Sequence, residues 1–174
     1  MTASLNPQLL TINHQLLLRA RVVLPVSQPP IREGAVLVSS RRIAAVGRWG
    51  DLAAHNRSKT VDLGETVLMP GLVNAHCHLD YTDMAGQFPP PKVFADWLKL
   101  ITETKAGWGY ADYAESWLNG ARMLVRTGTT TVADIEAVPE LLPKVWGGTP
   151  LRVFSFLEMI GIKGHRQPRA IVQK

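Results

Sequence analysis

The sequence predicts an α/β fold on a parallel sheet or barrel, preceded by a small β unit. Three observations carry this. Residues 14–48 fall into short runs rich in Val, Leu and Ile, broken by Pro25, Pro29-Pro30, Gly34 and Gly47, which is the pattern of strands and turns. From about residue 92 the apolar residues recur at helical spacing. From residue 129 onward strand-like and helix-like segments alternate, and βα alternation implies parallel strands.

Taken in order, HQLLLRARVVL, GAVLVSS and RIAAVG read as strands, with SSRR as a hairpin turn between two of them. DLAAH (51–55) reads as one helical turn, and TVDLGETVLMPGLVNAH as extended chain. Val93, Phe94, Trp97, Leu98 and Ile101 then mark a helix face. So do Ala114, Trp117, Leu118, Ala121, Leu124 and Val125, with Gly128 as its stop. TTTVADI (129–135) is β-branched and reads as a strand. PELLPKVW (139–146) reads as a short helix that Pro143 disrupts. LRVFSFLEMI (151–160) reads as a further strand, and PRAIVQK (168–174) opens as a helix with Pro168 at its head. The change of period divides the chain into residues 1–66, the β unit, and residues 67–174, the α/β unit.

Composition bounds the function. The chain has 174 residues, 46% of them hydrophobic, and a mean hydropathy near zero, a globular profile. Its one cysteine rules out an intrachain disulfide. The N-terminal apolar runs lack a basic lead and are broken by His14, Gln15, Arg19 and Arg21. Neither a signal peptide nor a membrane span is expected, and the expected location is cytoplasmic. Net charge is +5, but the basic residues are scattered and no basic stripe forms. No nucleic-acid partner and no membrane partner is expected.

The chemistry concentrates in MPGLVNAHCHLDYTD, residues 69–83. Residues i and i+2 of a strand share a face, so His76 and His78 project together and Cys77 projects the other way. Two adjacent imidazoles supply two ligands to a divalent cation. Cys77 is then a poor third ligand and reads as a small residue against the helix layer. The pair ends an apolar run and precedes a loop, the place where βα enzymes carry their chemistry.

MPGLVNAHCHLDYTD resembles the first barrel strand of the amidohydrolase superfamily, whose common form is Pro-Gly, two apolar residues, Asn or Asp, any residue, then His-x-His. The branch it resembles holds the chlorohydrolases and the cytosine-, guanine- and adenosyl-type deaminases. GAVLVSSRRIAAVG is similar to that family's N-terminal β unit. FADWL and RTGTTTVADI are similar to its first barrel helix and second strand, and LRVFSFLEMIG to its third strand.

The resemblance implies a partial (β/α)8 TIM barrel, its first three βα units, preceded by part of a small β-sandwich. It also implies one divalent ion, Zn²⁺ in preference to Fe²⁺, that activates water to attack a carbon and release ammonia, chloride or an amine. By motif position, His76 and His78 carry over as metal ligands. The family's later His, late Asp and proton-handling Glu and His come from later strands and have no matching position here. The general base is therefore expected outside this chain, and the chain alone is expected to turn over little or nothing.

Other candidates follow from position. Asp80, Asp134 and Glu158 fall at or just past strand ends and are candidate substrate-binding residues, each with a bland alternative as a turn cap or ion-pair partner. Tyr81 and Asp83 are weaker versions of Asp80. His165, in a Gly-Lys-Gly-His-Arg stretch, reads as a surface loop residue rather than a third ligand. The expected partner is a small-molecule substrate, with the full-length form deaminating a nitrogen heterocycle. The rival is a non-catalytic half-barrel module that associates through an unpaired sheet edge. The final residues, without cap or polar tail, read as an interruption.

Overall fold

A computed structural model of the chain describes residues 15–54 and 59–158. It is a mixed α/β structure in two compact units, Met1–Pro70 and Gly71–Lys174. The division falls after Pro70 rather than residue 66, because the short strand Val67–Leu68 hydrogen-bonds into the first unit's sheet. The segments 159–160 and 168–174, together with His14, His55 and His165, lie outside the described residues.

The first unit is a five-stranded sheet. Strands β1 (Gln15–Val23), β2 (Ile31–Ser39) and β3 (Arg42–Arg48) form an antiparallel meander. Ser40 and Arg41, the centre of the SSRR turn, have φ of 47° and 67°. That left-handed two-residue loop matches the twist of the strands it joins. Helix α1 (Trp49–Ala54) begins two residues before the expected helical turn at Asp51. Strands β4 (Lys59–Asp62) and β5 (Val67–Leu68) both run parallel to β1, along successive stretches of it. Ala20, Val23 and Val36 form the buried centre of this sheet. On its surface Arg19 bridges Glu33 at 3.1 Å and Asp62 at 3.0 Å, and Arg21 meets Glu33 at 3.0 Å.

The second unit is a three-stranded parallel sheet in the order β6 (Leu72–Cys77), β7 (Thr129–Glu136), β8 (Arg152–Leu157). β8 ends at Leu157, short of the ten-residue run expected. A 3₁₀ turn, Leu79–Met84, and helices α2 (Phe94–Ala106) and α3 (Tyr110–Arg126) connect β6 to β7. Helix α3 starts where the Gly109 N–H donates to Asp112 Oδ2 at 2.7 Å. It stops before Gly128, whose φ of +88° only glycine adopts freely. The 139–146 segment is a 3₁₀ turn, Pro139–Leu141, followed by α4 (Leu142–Val145). The expected single helix is interrupted just before Pro143, which sits in the first turn of α4, where its missing N–H would have no intrahelical acceptor anyway. Among the described residues no helix is long and apolar enough to cross a membrane.

The core of this unit lies between the sheet and α3. Leu79, Trp117, Ala121, Val132, Leu141, Val145 and Leu151 are buried together, flanked by Cys77 and Val153. Phe154 and Phe156 alternate with Val153 and Ser155 along β8 and are more than half exposed.

Gly120 makes the approach of α3 to the 79–84 turn possible. A Cβ there would lie 2.3 Å from Thr82 Oγ1 and 3.1 Å from the Leu79 carbonyl oxygen. Gly120→Ala would gain helix propensity on an isolated helix, but overpacking costs about 1–3 kcal/mol. The expected net result is a lower urea midpoint, partly restored by adding Thr82→Ala. A midpoint raised by Gly120→Ala would show that the turn is not held against α3.

Candidate metal centre

His76 lies in β6 and His78 one residue past its end. Strand β6 is not regular here. Asn74 pairs with Val132 and Cys77 with Asp134, so β6 uses one residue more than β7 over this stretch. Such a bulge re-aims side chains near a strand end. The His76 N–H donates to Asn74 Oδ1 at 3.2 Å. The two imidazoles lie side by side, edge to face, with ring centres 5.5 Å apart and planes at 69°. His76 is exposed and His78 half-buried. The Nδ1 of His78 is buried and has no hydrogen-bond partner, a costly state for a polar nitrogen unless something binds it. Cys77 is half-buried and packs on the Trp117 cluster. Burial, reinforced by the Asp134 charge, pushes its thiol pKa up, which disfavours the thiolate that metals bind.

The turn that follows His78 is strapped to α3. Asp134 Oδ1 accepts the Leu79 N–H at 2.9 Å, and Oδ2 accepts the Trp117 indole N–H at 2.7 Å. Ser116 Oγ donates to the Asp80 carbonyl at 2.8 Å and accepts the Asp83 N–H at 3.0 Å. The Asn119 amide donates to both Asp83 carboxylate oxygens. Burial raises the Asp134 pKa, opposed by the Leu79 and Trp117 donors. Both Asp134 oxygens are thus engaged inside the protein.

Asp80 is 1% exposed. Its Oδ2 meets Lys105 Nζ at 2.5 Å, and its Oδ1 is buried without a partner. Lys105 also lies 4.4 Å from the Tyr81 ring centre and 5.3 Å from that of Tyr113. Tyr81 in turn stacks on His78 with ring centres 4.5 Å apart. Burial, then the charges of Glu158, Asp80 and Glu136, raise the Tyr81 pKa, so its phenol stays protonated at neutral pH.

Two further carboxylates complete this end of the sheet. Glu136 closes β7 and is fully buried; its Oε1 accepts the Val138 N–H at 2.6 Å and its Oε2 has no partner. Glu158 follows β8, donates its N–H to the Glu136 carbonyl at 2.9 Å, and also has a buried, unpartnered Oε2. The structure thus brings His76, His78, Asp80, Asp134 and Glu158 to the C-terminal end of one parallel sheet. It adds Lys105 and Glu136, which the sequence reading passed over, and sets Trp117, expected on a buried helix face, against Asp134. Glu136 was recoverable, since it continues the alternation Val132, Asp134, Glu136 on the buried face. Lys105 carries no comparable signal.

Burial pushes the Glu136 pKa up to about 7, helped by the Asp80 and Asp134 charges and opposed by the Val138 N–H and Lys105. The folded state therefore holds this proton more tightly than the unfolded chain does. Its contribution to stability is full below the unfolded value near 4.5 and is lost as pH rises through about 7. Urea midpoints are expected to fall across that window, and Glu136→Gln is expected to flatten the fall. An unchanged profile in Glu136→Gln would show that Glu136 does not titrate there.

Among the described residues no group of three His, Cys, Asp or Glu side chains is placed to hold a metal ion. His76 and His78 are the side chains that could hold such an ion, given their neighbouring rings and the unpartnered His78 Nδ1.

No protein-family profile matches the chain. It is 35% identical over 113 residues to a 5-methylthioadenosine/S-adenosylhomocysteine deaminase of Nitratidesulfovibrio vulgaris, an alignment covering 63% of this chain and 25% of that one. Its fold is similar to a triazine hydrolase from Arthrobacter aurescens, with a TM-score of 0.79 and 20% identity over 92% of this chain and 41% of that one. It is also similar to an adenosine deaminase from Xanthomonas campestris with bound zinc, with a TM-score of 0.65 and 26% identity over 80% of this chain and 33% of that one. The chain spans about a quarter of the curated relative's length. With the His-x-His strand end and the parallel sheet beneath it, these likenesses identify the chain as belonging to the amidohydrolase superfamily.

Proposed function

We propose that His76 and His78 hold a divalent cation, Zn²⁺ in preference to Fe²⁺, at one side of a hydrolytic site that releases ammonia from an adenosine-like heterocycle. The observation that carries this is the pairing of two neighbouring imidazoles at a strand end, one with a buried, unpartnered nitrogen. The deaminase relative and the zinc-bound adenosine deaminase support the substrate class and the metal. When bound, such an ion supplies hydroxide at neutral pH by lowering the pKa of a coordinated water.

The chain's own residues do the rest of what this unit contributes. Tyr81, stacked on His78, fixes the imidazole plane. Asp134 acts on the turn that carries His78 rather than on the substrate, since Leu79 and Trp117 occupy both its oxygens. Asp80 and Glu158 keep free acceptor oxygens for a substrate. No general base is assigned among the described residues. In this reading β6, β7 and β8 are the first three strands of a (β/α)8 barrel, and the five-stranded sheet is part of a β-sandwich. The exposure of Phe154 and Phe156 supports the barrel reading, because a barrel interior is filled by such side chains from several strands.

The test is zinc-loaded chain with 5′-methylthioadenosine, followed for binding and for ammonia release. The reading predicts saturable binding that weakens at least tenfold on zinc removal or in His76→Ala, with ammonia release absent or slow. Binding indifferent to both contradicts it. The rival, a non-catalytic module that self-associates, is favoured by the apolar β8 residues Phe154, Phe156 and Leu157. A discrete dimer on size exclusion, dispersed by Phe154→Ser with Phe156→Ser, would support it.

A further inference from the structure

The imidazole of His78 is held by packing. Its Nδ1 is buried without a hydrogen-bond partner, so no hydrogen bond to that nitrogen sets the ring plane. Its contacts are with other rings: His76 at 5.5 Å, edge to face, and Tyr81, stacked at 4.5 Å with planes 20° apart. Tyr81 lies in the 79–84 turn that follows His78. The orientation of His78 therefore depends on what holds Tyr81.

Trp97 meets Tyr81 at 6.5 Å with planes at 63°, toward the outer limit of such contacts. The closer neighbour is a cation. Lys105 Nζ lies over the Tyr81 ring, 4.4 Å from its centre, within the ~6 Å reach of cation–π attraction. This ammonium has little freedom of its own. The Lys105 side chain is 13% exposed, meets Asp80 Oδ2 at 2.5 Å and lies 5.3 Å from the ring centre of Tyr113 on α3. Asp80 is itself buried, and its carbonyl accepts the Ser116 hydroxyl of α3. Lys105 stands in the last turn of α2, where the helix carbonyls favour positive charge. Two helices and the turn thus fix the ammonium, against the ring on which His78 is stacked.

We propose that Lys105 is a positioning residue for the metal centre: its ammonium clamps Tyr81 through a cation–π contact, and Tyr81 holds the His78 ring in its binding orientation. This rests on the reading above that His78 is a metal ligand, and deepens it by naming the group that sets that ligand's geometry. Lys105 needs no contact with the ion. A ligand ring held in place beforehand loses less freedom on binding, so releasing it weakens the site without removing a ligand.

The test begins on metal-free chain, so that failure of the metal reading does not decide it. Histidine ring resonances are followed by NMR, with His78 assigned by comparison with His78→Gln. Asp80→Asn with Lys105→Met removes both charges and strands neither. It is expected to move the His78 ring protons toward the position of an unstacked imidazole. Lys105→Arg, which keeps a cation, is expected to hold them near the wild-type position. Zinc affinity by calorimetry is expected to fall at least fivefold in the double variant and to survive in Lys105→Arg. Tyr81→Leu is expected to weaken zinc binding to a similar extent, and the double change is then expected to add nothing in that background. A role confined to stability would not cancel in this way. If the double variant fails to fold by circular dichroism, Asp80→Asn with Lys105→Gln decides. His78 resonances unmoved by loss of the cation overturn the proposal, whatever zinc does. So does zinc affinity that is unchanged although the ring has moved. Moved resonances in a chain that binds no zinc overturn the metal reading instead, and leave Lys105 as the clamp on the His78 ring.

Discussion

Asp134→Ala is expected to lower the stability of the second unit by about 3 kcal/mol, because it strands two buried donors at once. The Leu79 N–H and the Trp117 indole N–H both end on this carboxylate, at 2.9 and 2.7 Å, and Trp117 is fully buried. Part of the cost is offset, since the substitution also removes a carboxylate whose pKa burial has raised. Asp134→Asn keeps one acceptor and is expected to cost about half as much. Trp117→Phe removes one donor and leaves one oxygen unpaired, so its cost and that of Asp134→Asn are expected not to add in the double variant. Urea unfolding gives the energies, and the Trp117 indole proton in an NMR spectrum reports the bond directly. A loss under 1 kcal/mol in Asp134→Ala would mean that the carboxylate does not organise the turn beyond β6.

Asp80→Ala is expected to cost about 2–4 kcal/mol, the result of leaving a largely buried ammonium without its counter-ion. The Lys105 side chain is 13% exposed and sits 2.5 Å from Asp80 Oδ2. The faces of Tyr81 and Tyr113 retain some attraction for the cation, so the loss falls below that of a fully stranded charge. The double variant Asp80→Asn with Lys105→Met is expected to be more stable than Asp80→Ala alone, since no unpaired charge remains. Tyr81 bridges Lys105 and the His78 ring, so the single variant is also expected to weaken metal binding. A double variant less stable than Asp80→Ala would show that the pair contributes net attraction beyond its mutual neutralisation.

The parts legible in the sequence were those set by local periodicity. Strand composition marked β1 to β3, apolar spacing marked α2 and α3, and the βα alternation predicted parallel pairing. The i and i+2 rule placed His76 and His78 side by side, yet β6 contains a bulge at that point. The rings still neighbour each other across an irregular strand, with the Asn74 side chain accepting the His76 N–H. A bulge depends on the partner strand's register, which no local pattern encodes. Asp134 looked like a residue of the open mouth because it sits near a strand end. Its engagement with Trp117 depends on where a helix 17 residues earlier packs, and Lys105 reaches Asp80 across 25 residues. Such pairings are tertiary facts. The disruption expected at Pro143 takes the form of a change from the 3₁₀ turn to α4 just before it, since a proline is accommodated in a first turn and not in a helix middle.

The measurement that tests the central claim most directly is metal binding by the chain itself. Metal-free protein is titrated with Zn²⁺ by calorimetry, and with Co²⁺ by its visible absorption. Wild type is expected to bind one ion per chain, His76→Ala and His78→Ala each to weaken it at least tenfold, and the double variant to bind none. Equal binding by wild type and the double variant would contradict the account, since the ion would then be held elsewhere.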